Sequence, residues 1–405
     1  MSRRSSYGYR RYSSRTYSSG GRNRRRNRKK KKIILLIVIG LLVFCAALFV
    51  ILWLVMSGRD DASGKKDNPA LSETSAEVSG EASRPEKEHT ESSAEISEEE
   101  SEPEYEGYYD GNVFVYNKKG FEMFYGTDIS AKAYAEAVSE IKRLVGEDIN
   151  VYNLVAPNHA PFALPEKYLS QMNDQKENIK RIYSSYTQDV IPIDIFDAEE
   201  KHKKEYTYFK TDNNWTALGA YYAYQEFCKA MKINGTELDK LSKGSIADFR
   251  GSLYVATKTD EKPDGNKELA NNPDMVVYYN MPGIESCILL ENGKSEEQEV
   301  SLIAAFAEGS NAYSAFIWGN NPYMKVTTTQ KTGKKLCIIK DSYGCAFAPF
   351  TTADFDEVFI VDPAYYEGNV IDYIKDNKFT DVLVINSVMN ANTSFRLDDI
   401  YSIIR

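Results

Sequence analysis

The sequence has few of the residues that usually bind metals or transfer protons. It contains three histidines and five cysteines in 405 residues. No two cysteines have C-x-x-C spacing, and no histidine pairs with a cysteine at zinc-ligand spacing. We therefore predict neither a metal site nor a cofactor. Cys337 lies in an apolar strand pattern and Cys228 on a helix face, so we expect buried thiols rather than disulfides.

Acidic residues outnumber basic ones beyond the first 32 residues. Residues 1–32 carry ten Arg and four Lys and no acid, whereas residues 59–107 carry sixteen acids and five bases. The remaining residues also have more acids than bases, 43 against 31. No part of the folded region is basic enough to indicate a nucleic-acid partner.

Ile33 to Met56 is an apolar run of 24 residues, interrupted only by the neutral Gly40 and Cys45. A helix of this length crosses a hydrocarbon core of about 30 Å. The run is longer than the apolar core of a signal peptide and lacks a small-residue cleavage site. We therefore predict a retained transmembrane helix over residues 33–56.

The basic residues before this run place the amino terminus in the cytoplasm and residues 57–405 outside the cell. The predicted protein is a single-pass protein of the cell membrane, with a disordered basic tail at 1–32. The Ser- and Glu-rich residues 57–107 are expected to form an extended, self-repelling stalk. The folded domain is expected over residues 108–405.

Within that domain, apolar strand patterns alternate with helical ones. The strand patterns cover Ile149–Ala156, Val190–Phe196, Leu336–Ile339, Val358–Val361 and Val382–Ile385. The helical patterns cover Ala131–Val145 with Ser130 as cap, Gln175–Tyr186, a helix from Tyr343, and Asn369–Asn377. This alternation predicts a flavodoxin-like α/β fold, with a mostly parallel sheet and helices on both faces. Residues 232–334 are less regular and are interpreted as an insertion or edge region.

One stretch, residues 206–224, combines a strand pattern with a helix start. Tyr206 to Lys210 alternates aromatic and polar residues, which predicts a short strand. Thr216 is a suitable N-cap for a helix that runs to about Met231. Asp212, Asn213, Asn214 and Trp215 then fall on a strand-to-helix loop, the type of loop that forms sites at the carboxyl edge of an α/β sheet.

A second stretch places a serine after a buried strand. Ser342 follows Lys340 and Asp341 and precedes a helix that starts at Tyr343. This geometry suits an acyl-transfer nucleophile, because amides at a helix amino end can stabilise an oxyanion. The simpler interpretations are a helix cap for Ser342 and a turn-forming residue for Asp212.

These two stretches, with Gly251-Ser252-Leu253-Tyr254 and Gly319-Asn320-Asn321-Pro322, resemble the motifs of the DHHW family. That family is similar to the SGNH-hydrolase-like proteins of alginate O-acetylation. The resemblance implies an SGNH-hydrolase-like domain with Ser342 as nucleophile and Asp212 as its acidic partner. The positions that it implies for binding are Asn213, Trp215, Asp341, Tyr343 and Asn320.

The sequence departs from the family at the catalytic base. The family signature reads Asp-His-His-Trp, but here both histidines are asparagines, and Asn214 stands where the catalytic histidine is expected. An amide side chain cannot take a proton near neutral pH. His159, in a loop after a predicted strand, is the candidate substitute base, although a polar loop residue is the simpler interpretation. The arginine that the family often has after the strand ending in Asp362 is also missing.

Three functions remain open on this evidence. The first is a degenerate member that binds or scaffolds an envelope polysaccharide or its modifying enzymes. The second is an active O-acetylesterase or O-acetyltransferase on envelope glycans, using Ser342, Asp212 and a substitute base. The third is a structural partner in a membrane assembly. Tyrosine pairs such as Tyr365-Tyr366 can stack on sugars, although core packing explains such residues more often.

Overall fold

The computed structural model describes residues 105–405. The predicted tail, transmembrane helix and stalk up to residue 104 lie outside the described residues. Within residues 105–405, none of the helices is both long enough and apolar enough to cross a membrane.

Residues 105–405 form thirteen strands and eleven α-helices. The strands are β1 (Tyr108–Asp110), β2 (Val113–Tyr116), β3 (Lys119–Phe121), β4 (Asn150–Ala156), β5 (Ile191–Ile193), β6 (Lys243–Phe249), β7 (Asp274–Tyr279), β8 (Ile284–Leu290), β9 (Glu297–Glu299), β10 (Tyr323–Thr328), β11 (Lys335–Lys340), β12 (Glu357–Val361) and β13 (Asp381–Ser387). The helices are α1 (Asp128–Val145), α2 (Ala160–Ala163), α3 (Glu166–Leu169), α4 (Gln175–Tyr183), α5 (Phe196–His202), α6 (Ala217–Met231), α7 (Ser252–Ala256), α8 (Lys267–Ala270), α9 (Tyr343–Thr351), α10 (Val370–Asp376) and α11 (Ser394–Ile403).

The main sheet of the described region has eight strands in the order β5-β4-β13-β11-β12-β10-β8-β9. The first five are parallel, and the last three extend the sheet with antiparallel pairs. The α/β fold is therefore confirmed, with a mixed sheet. Numbered along the chain, the parallel strands lie in the order 2-1-5-3-4, because β13 pairs with both β4 and β11. The flavodoxin order is 2-1-3-4-5, so the strand order differs from the flavodoxin-like prediction.

Helices cover both faces of this sheet. Successive residues of a strand point to opposite faces. On β4, Asn153 Nδ2 donates to Tyr134 Oη of α1 at 3.1 Å, whereas the ring of Tyr152 lies 5.5 Å from that of Phe227 on α6. α1 and α6 therefore lie on opposite faces. Strands buried on both faces need near-continuous apolar sequence, as the fully buried Leu336 to Ile339 of β11 shows.

Two helix starts tested the predicted caps. α6 begins after Thr216, whose hydroxyl accepts from the amides of Leu218 and Gly219, as predicted. α1 begins earlier than predicted, because Thr127 rather than Ser130 is its N-cap. The Ser130 hydroxyl instead accepts from the Thr127 amide at 2.9 Å, which completes a capping box.

Strands β1, β2 and β3 form a small antiparallel sheet of their own. The less regular residues 232–334 supply the antiparallel strands of the main sheet and a further strand pair. Strands β8, β9 and β10 make up one edge of the main sheet, while β6 and β7 pair with each other in a separate two-stranded sheet. Cysteines 228, 287, 337 and 345 are all buried free thiols in the described region.

Glu199 on α5 is a buried acid without a partner. The residue has no exposed surface, and neither carboxyl oxygen has a hydrogen bond within residues 105–405. Burial raises the pKa of Glu199 well above its usual value. The folded protein therefore holds this proton more tightly than the unfolded chain does.

We expect Glu199 to make the protein less stable as the pH rises. Above the unfolded pKa of roughly 4.3, the unfolded chain binds fewer protons than the folded one, so the free energy of unfolding falls with pH. Glu199→Gln cannot ionise and should flatten this decline between pH 5 and pH 8. Urea denaturation at pH 5 and pH 8 measures the decline, with Glu200→Gln as control, since Glu200 is only half-buried and is ion-paired with Lys203. An unchanged decline in Glu199→Gln would contradict this account.

Candidate active site

The stretch predicted as a strand before the signature is instead one arm of a tight hairpin. Residues 206–210 form no regular strand, and the single bridge pairs Tyr208 with Trp215. The buried carboxylate of Asp274, at the start of β7, replaces the missing ladder. It accepts hydrogen bonds from the Lys210 amide at 2.9 Å and from the Thr211 amide at 2.8 Å. The insertion thus positions the signature, which sequence periodicity could not show.

Two reciprocal hydrogen bonds join the signature hairpin, residues 206–216, to the serine loop, residues 341–343. Trp215 Nε1 donates to the Tyr343 carbonyl at 2.9 Å, and Tyr343 Oη donates to the Asn213 carbonyl at 2.5 Å. Both side chains are almost fully buried, and their rings lie 5.2 Å apart. Trp215 and Tyr343, which the sequence analysis assigned to binding, therefore hold the two loops in contact.

Asp212 holds Asn214 in a fixed orientation. Its Oδ1 accepts from the Asn214 backbone amide at 2.9 Å and from Asn214 Nδ2 at 2.7 Å. A carboxylate only accepts, so the amide group must direct its nitrogen toward Asp212 and its oxygen away. That oxygen, Asn214 Oδ1, is buried and has no partner among the described residues. The turn-forming interpretation of Asp212 is thus correct, but the turn also orients the side chain at the family's base position.

The second carboxylate oxygen of Asp212 is bonded by backbone that passes very close to it, at Gly251 and Ser252. Asp212 Oδ2 accepts from the Ser252 amide at 2.7 Å. A Cβ at Gly251 would lie 2.3 Å from the Asp212 Cβ, so only glycine fits here. Ser252 Oγ donates to Asn213 Oδ1 at 2.9 Å. The Gly251-Ser252 motif therefore supports the signature directly.

Ser342 lies between the carboxyl end of β11 and the start of α9, and it does not cap that helix. Its side chain makes no cap hydrogen bond to α9, so the cap interpretation is wrong. The amides of Tyr343, Gly344 and Cys345 are already bonded to Asp341 or to the Ser342 carbonyl. The Ser342 amide itself has no partner within residues 105–405, which leaves one donor near the hydroxyl. No hydrogen bond joins Ser342 to Asp212 or Asn214 in this part of the chain.

Asp341 was predicted as a binding residue, but both of its carboxylate oxygens accept hydrogen bonds from neighbouring residues of the fold. Its Oδ1 accepts from the Tyr343 amide at 3.0 Å, and its Oδ2 accepts from the Ser387 amide at 2.7 Å and from Asn390 Nδ2 at 2.8 Å. The side chain is buried. It therefore joins the loop after β11 to the loop after β13.

Two buried cations lie behind the serine loop, although no arginine follows β12. Lys340 Nζ lies 3.2 Å from Asp362 Oδ2 and donates to Asn320 Oδ1 at 2.8 Å. Arg396 Nη1, from the last helix, lies 3.1 Å from Asp362 Oδ1. Burial alone would lower the pKa of Lys340, but Cys345 and Asp362 outweigh it and raise that pKa. Asp362 neutralises one of the two cations, and Asn320 is exposed with its Nδ2 unbonded in this region.

His159 is poorly suited to act as a base. Its ring stacks on Tyr208, with ring centres 5.0 Å apart and planes 7° from parallel, and it also contacts Phe121. Burial and the nearby Lys119 lower the pKa of His159 to about 3. The ring is therefore neutral at physiological pH and accepts a proton weakly. No hydrogen bond connects it to Ser342 within the described chain.

Glu122 is a site residue that the sequence analysis missed. It follows β3, and its Oε2 accepts from Asn213 Nδ2 at 3.4 Å. Burial, followed by Asp212 and Asp341, raises the pKa of Glu122. Glu122 lies far from both motifs in sequence, and only the position of the β1–β3 sheet brings it to the signature. Within the described residues, no group of three or more side chains could hold a metal ion.

The chain belongs to the DHHW family. The family model described as "DHHW protein" matches residues 86–361. A DHHW family protein from Eubacterium siraeum shares 31% identity, with a TM-score of 0.67; the match covers 74% of this chain and 98% of that one. The predicted family resemblance is therefore confirmed. No curated protein matches this chain.

Two more distant solved structures also match this chain. PatB1 from Bacillus cereus, in a structure with a sulfonyl adduct, is 16% identical, with a TM-score of 0.58, over 72% of this chain and 98% of that one. The O-acetyltransferase domain of AlgJ from Pseudomonas putida also matches, at 11% identity and a TM-score of 0.39, over 73% and 99% of the two chains. At 16% identity PatB1 shows a common fold alone.

The hydrogen bond between the two loops should contribute measurably to stability. Tyr343→Phe leaves the Asn213 carbonyl without its donor, which should lower the free energy of unfolding by about 1 kcal/mol. Tyr366→Phe makes the same chemical change where the hydroxyl has no hydrogen-bond partner in residues 105–405, and should cost less than about 0.5 kcal/mol. Urea denaturation compares the two. Equal losses would show that the Tyr343 hydroxyl does not lock the loops.

Proposed function

We propose that this chain is a non-catalytic member of the DHHW family that binds a polysaccharide of the cell envelope. The supporting observation is the geometry of Asn214. Asp212 fixes its amide by two hydrogen bonds and leaves Oδ1 buried without a partner. A buried acceptor without a donor costs about 1–3 kcal/mol, and a ligand hydroxyl can satisfy it.

The same geometry argues against acyl transfer. A serine needs a base that takes its proton and later returns it. The carbonyl oxygen of Asn214 can accept a hydrogen bond but cannot hold a proton near neutral pH. Loss of the base from a triad that acts as a unit costs on the order of 10⁶ in kcat. The architecture around Ser342 is kept, but the proton transfer that it would need is missing.

The ligand class and the location extend this proposal. The resemblance of the family's motifs to proteins of alginate O-acetylation supports a polysaccharide ligand, whose many hydroxyls suit the Asn214 acceptor. The basic residues before the predicted helix at 33–56 support a domain outside the membrane. We therefore propose that the site belongs to a membrane-anchored domain that faces the cell envelope.

A second candidate function is slow ester transfer with Glu122 as the base. Its carboxyl has a raised pKa and contacts the signature through Asn213. A base of this kind would act on Ser342 through a bridging water, because the two side chains share no hydrogen bond within residues 105–405. Glu122 replaces His159 as the best candidate for a substitute base.

The proposal predicts binding without turnover. The purified full-length protein should bind at least one member of a panel of immobilised bacterial envelope polysaccharides. It should release acetate from a chromogenic acetyl ester no faster than buffer. Asn214→His should raise this rate at least about tenfold, a small part of the roughly 10⁶ that a missing base costs. The increase should vanish in Asn214→His combined with Ser342→Ala.

Two results would contradict the proposal. Absence of binding to every polysaccharide would remove the ligand class. Ester hydrolysis by the unaltered protein, lost in both Ser342→Ala and Glu122→Gln, would favour the second candidate function. A matched control is Asn213→His, which places the same imidazole one residue away from the position that Asp212 orients.

A further inference from the structure

A second pocket opens on the antiparallel part of the main sheet. It has a volume of about 630 Å³ and lies between the ends of β8, β10 and β12. Three tyrosines form much of its lining: Tyr323, Tyr365 and Tyr366. Its polar side chains come from Asn292, Lys294, Ser295 and Glu367.

The tyrosine rings are held at fixed angles. Tyr366 meets Tyr323 edge to face, with ring centres 6.1 Å apart and planes at 77°. Its ring packs so closely on Gly368 that a Cβ there would lie 2.6 Å from the ring and its hydroxyl. Tyr365 is more open, with 38% of its surface exposed. The pocket therefore has a rigid aromatic wall beside a solvent-facing ring.

The Tyr323 hydroxyl donates to Glu297, but most other polar groups around these rings make no hydrogen bond in the part of the chain that the structure describes. Within residues 105–405, the hydroxyls of Tyr365 and Tyr366 make no hydrogen bond. The same holds for the side chains of Asn292, Lys294 and Glu367. Lys294 and Glu367 also balance in charge. Aromatic faces beside unbonded donors and acceptors, without net charge, suit an uncharged ligand rich in hydroxyls.

The pocket and the serine loop lie at the same edge of the sheet. Ile339 of β11 pairs with Val361 of β12, which pairs with Tyr323 of β10, which in turn pairs with Leu290 of β8. Neighbouring strands are about 4.8 Å apart, so the β10 end of the pocket lies roughly 10 Å from β11, the strand that leads to Ser342. Several linked sugar units can span such a distance.

Asp362 joins the two places physically. Its carbonyl accepts from the amides of Tyr365 and Tyr366, both at 3.1 Å, while its carboxylate contacts Lys340 behind the serine loop. Lys340 also donates to Asn320, in the turn that leads to Pro322 on the pocket wall. The loop with Tyr365 and Tyr366 and the serine loop are thus both attached to the ionic cluster of Asp362 and Lys340.

We propose that the Tyr323–Tyr365–Tyr366 pocket is a sugar-binding subsite for a polysaccharide chain whose neighbouring part lies at Asn214 and Ser342. This inference rests on the proposed function and adds a place where the chain is held. The open ring of Tyr365 stacks on a sugar face, and the unbonded hydroxyls and side chains contact its hydroxyls. In this proposal the loop that follows β12, which contains Tyr365 and Tyr366, is a binding loop.

The test compares long and short fragments of whichever envelope polysaccharide the full-length protein retains. Tyr365→Ala should weaken binding of fragments of six or more sugars about tenfold and leave single-sugar binding unchanged. Tyr365→Phe keeps the ring and should stay within about threefold. Tyr109→Ala removes a comparably exposed tyrosine on β1 and should change nothing. Thermal unfolding of each variant shows whether the fold is intact.

The outcomes separate this inference from the proposed function. If the unaltered protein binds long fragments and Tyr365→Ala binds them equally well, the subsite is wrong and the proposed function stands. If Tyr365→Ala weakens single-sugar and long-fragment binding alike, the pocket is not a separate subsite for the chain. If the unaltered protein retains no polysaccharide, both proposals fail.

Discussion

The pair of hydrogen bonds from Asn214 to the Asp212 carboxylate is the interaction on which the site depends. It selects one orientation of an amide group and places an unbonded oxygen where the family has an imidazole. The surrounding structure is arranged to keep it. Gly251 lets backbone approach Asp212, Asp274 holds the preceding residues, and Trp215 ties the hairpin to the serine loop. A site that had lost all use would have no need of so many supports, and this is why we interpret it as a binding site rather than a remnant.

The edge of the main sheet holds both the serine loop and the Tyr323–Tyr365–Tyr366 pocket. Parallel strands β4, β13 and β11 bring their carboxyl-end loops together, and the Asp341 carboxylate joins two of those loops. The antiparallel strands then carry the same edge outward to a pocket with aromatic walls. A buried cluster of Lys340, Arg396 and Asp362 lies between the two regions. Both regions therefore lie along one edge of one sheet, which is the arrangement that the proposed chain-like ligand requires.

Much of this could be predicted from the sequence, because local patterns fix local structure. The buried strands β11, β12 and β13 and the Thr216 cap follow from apolar runs and a capping residue. Long-range pairing does not leave such a pattern. The place of β13 between β4 and β11 could not be predicted, nor could the contact of Glu122 with Asn213 or of Arg396 with Asp362. The alternation at Tyr206 to Lys210 was misread as a strand because its hydrogen bonds go to a side chain, Asp274, far along the chain.

The loops around Ser342 are held in place, but no side chain within residues 105–405 is bonded to its hydroxyl as a general base. The most direct measurement is covalent labelling by a sulfonyl fluoride, followed by mass spectrometry of the peptide that contains Ser342. Fragmentation of this peptide assigns an adduct to Ser342 rather than to the neighbouring Tyr343, and the measurement needs no knowledge of the natural ligand. PatB1 from Bacillus cereus, which has been seen with a sulfonyl adduct, serves as the positive control. The account predicts that the unaltered chain stays unlabelled at Ser342 at neutral pH while PatB1 is labelled fully. Stoichiometric labelling of Ser342 in the unaltered chain would contradict it.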